Sequence, residues 1–146
     1  PVKNLLHGWG ASSITRLQSG GYLTPTGNTS IGVRRADVVA EQTIEGPKTI
    51  TEWFNKAAFI AAPDDRRGTA GIGVILGPGR HTWDISLRKR FALTERFNLQ
   101  FQGDMFNAFN RVNLNNPDTN VTNLNYDTIT STAPGRNVRF GLRLTF

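Results

Sequence analysis

The closing stretch RNVRFGLRLTF (136–146) alternates without a break. Val138, Phe140, Leu142, Leu144 and Phe146 fall on one side of an extended chain. Asn137, Arg139, Gly141, Arg143 and Thr145 fall on the other. A period of two marks a β-strand between two unlike environments. The stretch stops on the apolar set, with an aromatic last. A strand facing lipid on one side and a polar lumen on the other has this pattern.

Two further stretches are built the same way. In TWDISLRKRFA (82–92), Trp83, Ile85, Leu87 and Phe91 alternate with Asp84, Ser86, Arg88 and Arg90. Lys89 interrupts the apolar set, and its stem is expected to snorkel and leave the charge in water. In FNLQFQGDMFNAF (97–109), Phe97, Leu99, Phe101 and Met105 alternate with Asn98, Gln100, Gln102 and Asp104. The residues between them, Leu93-Thr94-Glu95-Arg96, read as a tight hairpin. Opposed residues share a face, so two strands with apolar residues at odd numbers must pair with an even sum. That excludes a two-residue turn at Thr94-Glu95. It allows a three-residue loop (Thr94–Arg96) or a five-residue loop (Ala92–Arg96). Arg88 then faces Gln102 or Gln100, and Asp104 faces Ser86 or Asp84. A weaker strand is expected over 9–19, where Trp9, Ala11, Thr15 and Leu17 share a parity that Ile14 breaks.

The chain has 146 residues, enough for one domain with a core. Lys plus Arg is 17 and Asp plus Glu is 11, giving a net charge of +6. Such a balance suits a polyanion partner, but the positive charges are scattered. The 15 glycines and the many asparagines and threonines favour turns and strands over helices. With 0 cysteines there is no disulfide framework, thiol chemistry or cysteine-ligated metal. No stretch approaches the ~20 apolar residues of a membrane helix, whereas barrel strands need only be half apolar. The opening Pro-Val-Lys-Asn has no initiator Met and reads as the middle of something longer.

Turn punctuation fills the segment 20–80: Gly20-Gly21, Thr24-Pro25, Gly46-Pro47, Ala62-Pro63-Asp64-Asp65 and Gly77-Pro78-Gly79. It reads as a long excursion, with a short helix expected over Ile50–Phe59 and Thr51 as its cap. A second excursion, rich in asparagine, occupies 110–135. The expected plan is all-β: four antiparallel strands near 9–19, 82–92, 97–109 and 136–146, forming part of an outer-membrane barrel with two long loops. Short turns on one side and long loops on the other are the asymmetry of such barrels.

WFNKAAFIAAP (53–63), GPGRHTWDISLRKRFALTERFNLQFQGDMFNAFNRVNLNNP (77–117) and the terminal strand ending in Phe resemble the C-terminal end of TonB-dependent outer-membrane receptors. The group resembled is the large receptors with a carboxypeptidase-regulatory-like N-terminal domain. The resemblance runs from about Gly8 to Phe146. Lys56 stands where that group commonly has proline, and Arg88-Lys89-Arg90 is more basic than usual. The resemblance implies a barrel of about 22 strands around an N-terminal plug. It implies import of a scarce ligand with energy from the inner membrane. This chain would supply the last four strands, without the plug. The final strand would close the barrel and signal assembly.

The expected lumen-facing polar set is Arg88, Arg90, Gln100, Gln102, Asp104, Arg139 and Arg143. Its arginines read as an electropositive path for an anionic ligand or, more simply, as a ladder of polar contacts to neighbouring strands and the plug. The expected lipid-facing set is Val138, Phe140, Leu142, Leu144 and Phe146. Asp84 and Asp104 could pair as catalytic carboxylates, but nothing supplies a nucleophile, so no enzyme and no cofactor are expected. His7, His81 and Asp64-Asp65 lack metal-ligand spacing. GTAGIGVILGPG (68–79) lacks both phosphate-loop patterns and reads as a glycine-rich loop. The asparagines at 113–125 read as a solvated loop before a sugar site. Expected partners are the rest of the barrel and plug, outer-membrane lipid, the assembly machinery and an unidentified imported ligand, with no nucleic acid. Two alternatives remain: a soluble basic β-module for a polyanion, and a structural fragment that self-associates through open strand edges.

Overall fold

The computed structural model describes residues 7–39 and 41–146. Its strands are β1 (Trp9–Gln18), β2 (Tyr22–Leu23), β3 (Thr26–Thr29), β4 (Gly32–Arg35), β5 (Asp37–Val38), β6 (Phe59–Ile60), β7 (Ile75–Leu76), β8 (Arg80–Ala92), β9 (Asn98–Phe106) and β10 (Asn137–Thr145). The fold is all-β, and the chain divides into two compact units. One comprises residues up to Gln18, His81–Val112 and Pro134–Phe146. The other comprises Ser19–Arg80 and Asn113–Ala133.

The first unit is an antiparallel sheet in the order β1-β8-β9-β10. The three-residue turn is the one adopted. Leu93 N–H donates to the Phe97 carbonyl at 2.9 Å, and Thr94 Oγ1 accepts from the Phe97 amide at 3.1 Å. Arg88 accordingly faces Gln102, and Ser86 faces Asp104. β9 and β10 pair so that Val138 faces Met105, Leu142 faces Phe101 and Leu144 faces Leu99. Since opposed residues share a face, the apolar sets of the three strands merge into one surface and the polar sets into the other. β9 ends sooner than the alternation suggests. Asn107 and Asn110 adopt positive φ (49° and 51°), and the Asn107 side chain bonds the Arg111 amide and carbonyl. Asparagine tolerates that conformation and turns the chain there.

The two long excursions, 20–80 and 110–135, form a compact unit of their own. The two segments fold together around a core of Trp53, Phe54, Phe59, Ile75 and Ile129, with Ala36, Ala58 and Ala70 between them. Phe54 packs edge-on to Phe59 and to Tyr126, at ring separations of 6.2 and 5.3 Å, a favoured aromatic geometry. Short pairs tie the unit: β2 with β7, β3 with β4 and β5 with β6.

The helix expected over Ile50–Phe59 does not form. Only a 3-10 turn, Lys56–Ala58, is present, and its cap is Asn55, not Thr51. Asp127 Oδ1 accepts the Trp53 and Phe54 amides at 2.8 and 2.7 Å. Those N–H groups are therefore held by a carboxylate distant in sequence and not by the preceding helical turn.

Candidate functional site

The strand register gathers all seven expected polar residues on one face of the sheet. Asp104 is its acidic centre. Asp104 Oδ1 accepts from Ser86 Oγ at 2.6 Å and from Gln102 Nε2 at 3.1 Å, and its Oδ2 accepts from the same amide at 2.8 Å. Arg139 lies opposite Asp104 on β10. Its Nε donates to Asn137 Oδ1 at 3.2 Å, and its guanidinium sits 5.2 Å from the centre of the Phe106 ring. Asp84 does not join Asp104. Its Oδ1 accepts the Asn107 amide at 2.9 Å, beyond the Ser86–Asp104 pair. Asp84 and Asp104 are thus bound to different partners and do not share a site.

Farther along the face, Gln100 lies between Arg90 on β8 and Arg143 on β10. Arg90, Asn98, Gln100, Arg143 and Thr145 line a cavity of about 300 Å3. Arg88 and Arg90 join Gly8, Trp9 and Gly10 around another of about 320 Å3. Arg88, Arg90, Arg139 and Arg143 outnumber Asp84 and Asp104 on this face, so its field is positive.

The other face is apolar and uncovered. Phe140 is 74% exposed, Leu142 72% and Phe146 89%. Aromatics mark both ends. Trp83 packs edge-on against Phe109 at 5.6 Å and against His81 at 6.5 Å. At the opposite end Phe97 lies 6.5 Å from Phe146. Between them Phe101 stacks on Phe140 at 5.8 Å. From Trp83 to Leu93, the residue opposite Phe97, the strand runs about 33 Å. At a tilt of about 40° that is a height of roughly 25 Å, the apolar band of a membrane barrel.

Lys89 departs from expectation. It is only 1% exposed. Its Nζ donates to the His7 carbonyl at 2.7 Å and lies 4.7 and 5.3 Å from the Trp9 and Phe91 ring centres. A carbonyl and two ring faces take the place of the water to which the ammonium was expected to snorkel.

In the second unit, Asn116, Asn123 and Asn125 are exposed, as a solvated loop requires, whereas Asn113, Asn115 and Asn120 are drawn partly or wholly inward. Asn120 Nδ2 donates to Asn28 Oδ1 at 3.0 Å, and Asn123 Nδ2 donates to Asp118 Oδ2 at 2.8 Å. Asn113 is buried. The 68–79 tract supplies the buried Ile75 of β7 and a close passage at Gly68, where a Cβ would strike the Arg35 and Ala36 carbonyls. Two features of this unit escaped the sequence reading. One is Asp127, fully buried beneath the Trp53–Phe54 backbone. The other is the ion pair of Arg66 with Asp37, two parallel bonds of 2.8 and 2.7 Å. The Arg66 guanidinium holds the Asp37 carboxyl below its usual range. The arginine doublets at 34–35 and 66–67 were the available signal.

Segregated faces, aromatic ends and an uncovered apolar surface describe sheet built for a bilayer. The family model of the outer membrane beta barrel domain matches residues 1–139. The chain belongs to the outer membrane beta barrel domain family. No curated protein and no solved structure matches it. As an outer membrane beta barrel domain it localises to the bacterial outer membrane, which removes the soluble-module alternative.

Proposed function

We propose that this outer membrane beta barrel domain is the C-terminal segment of a TonB-dependent receptor and takes part in importing a scarce ligand. Val138, Phe140, Leu142, Leu144 and Phe146 meet lipid. Arg88, Arg90, Gln100, Gln102, Asp104, Arg139 and Arg143 face the lumen. The unit of residues 19–80 and 113–133 lies outside the cell. The outermost strands of the sheet, β1 and β10, pair with the remainder of the barrel, and β10 serves the assembly machinery as its recognition strand.

The observation that carries the membrane role is the uncovered apolar face: soluble proteins seldom leave so continuous an apolar patch open. The receptor assignment is supported by the order of the WFNKAAF, GPGRHTWDISL and FNLQFQGDMFNAFN segments along the chain. An antibody against residues 19–80, applied to isolated outer membranes, tests it. The expected result is a polypeptide large enough for a barrel of about 22 strands. A band at the mass of this chain alone, running as a multimer when unheated, would replace the receptor with a self-assembled sheet.

A further inference from the structure

A second basic site lies wholly within the unit of residues 19–80 and 113–133. Arg34, Arg35 and Arg67, with Ile72, line a cavity of about 450 Å3, in the size range of small-molecule sites. Two of the guanidiniums are held in place by backbone. Arg35 Nη1 donates to the Ala70 carbonyl at 2.9 Å, and Arg34 Nη1 donates to the Arg66 carbonyl at 3.4 Å. The close packing of Gly68 on the Arg35 carbonyl brings the 66–70 segment against β4. A carbonyl fixes a guanidinium but leaves its charge uncompensated.

Two of the neighbouring acids, Asp37 and Asp64, are engaged elsewhere, and Asp65 acts on Arg66 through space. Both oxygens of Asp37 are taken by Arg66, and Oδ1 also accepts the Thr69 amide at 2.9 Å. Asp64 Oδ1 accepts the Ser30 amide at 3.0 Å and feels Arg34 only through space. Arg66 with Asp37 is an ion pair of 2.7 Å. Ile72, 79% exposed, gives the cavity an apolar wall.

We propose that Arg34, Arg35 and Arg67 form a binding site for a phosphate monoester carried on a small organic body, with the phosphate among the guanidiniums and the body against Ile72. Planar guanidiniums match phosphate oxygens in pairs of parallel hydrogen bonds. Fixing two of the three beforehand lowers the ordering cost of binding. The site stands on the geometry of its own unit and does not depend on the import reading. Binding can be present whether or not uptake follows.

The same chemistry occurs on soluble sugar phosphates and on the phosphorylated glycolipid of the outer leaflet, and the test separates them. The full chain, extracted from outer membranes in detergent, is titrated calorimetrically with glucose 1-phosphate, with glucose, with lipopolysaccharide and with dephosphorylated lipopolysaccharide. Glucose 1-phosphate should bind and glucose should not. Arg67→Gln, an exposed change that leaves its backbone contacts intact, should weaken binding by about tenfold or more. Arg34→Lys should weaken it by less, because charge is kept and the fork is lost. Arg96→Gln, in the hairpin turn, removes the same net charge and should change nothing. Lipopolysaccharide binding that disappears on dephosphorylation would identify the glycolipid as the source. Binding of the soluble ester alone would identify a soluble ligand. No phosphate-dependent binding by the unaltered chain, or an equal loss from Arg96→Gln and Arg67→Gln, would overturn the site.

Discussion

Asp127 shows how much one side chain can organise. Its Oδ1 accepts two amides, while Oδ2 is buried without a hydrogen-bond partner. Burial pushes its carboxyl upward, against the downward pull of those same amides. A proton on Oδ2 removes the charge and leaves Oδ1 free to accept. Asp37 is the opposite case, held down first by its bond to Arg66. The two carboxyls therefore give opposite pH dependences. Unfolded aspartate titrates near pH ~3.9. Asp37 adds stability above that value and loses it as pH falls through its lower folded pKa. Asp127 is most favourable below that value, and stability declines as pH rises toward its higher folded pKa. Asp37→Asn should therefore be most harmful at neutral pH, with its penalty fading in acid. Asp127→Ala should cost about 1–3 kcal/mol, read as roughly five- to hundredfold faster hydrogen exchange at the Trp53 and Phe54 amides. Unchanged exchange at both amides would remove Asp127 from its bracketing role.

Among the elements, the hairpin of β8 and β9 follows most directly from sequence. Parity limited it to two registers, and the chain adopts the one that sets Ser86 against Asp104. The Leu93 N–H bonds the Phe97 carbonyl, which sets the hydrogen-bonding phase of the ladder. Counting in alternation from there makes Ser86 and Asp104 a non-hydrogen-bonded pair, the closer kind. Ser86→Cys with Asp104→Cys should form a disulfide on mild oxidation, because side chains approach most closely at such pairs. Asp84→Cys with Asp104→Cys, the pair of the rejected register, should stay reduced. The reverse pattern would mean that the hairpin slips by two residues. Long alternating strands announced themselves because the signal is local. The 19–80 segment did not, because its core joins short apolar pieces far apart in the chain. Trp53 and its partner Asp127 are 74 residues apart, and no window of sequence contains both. The surroundings of Lys89 are hidden from local sequence for a similar reason. The His7 carbonyl that receives it lies just ahead of β1, 82 residues earlier.

On the scale of the whole molecule, the two faces of the sheet are suited to different solvents. The apolar residues of β8, β9 and β10 lie on one side through register alone, and Phe140, Leu142 and Phe146 are bare. The basic side, with Arg90, Gln100 and Arg143 in a row, suits water. Arg139 and Phe140, or Leu142 and Arg143, are neighbours in sequence that should occupy different solvents. Single cysteines at 139, 140, 142 and 143, each labelled with an environment-sensitive fluorophore, test this in outer-membrane vesicles containing the protein. Lipid-borne nitroxide and aqueous iodide are the two quenchers. The account predicts that lipid quenches 140 and 142 while iodide quenches 139 and 143, reversing at every step between the faces. Uniform quenching by iodide, or lipid contact at 139 and 143, would contradict it.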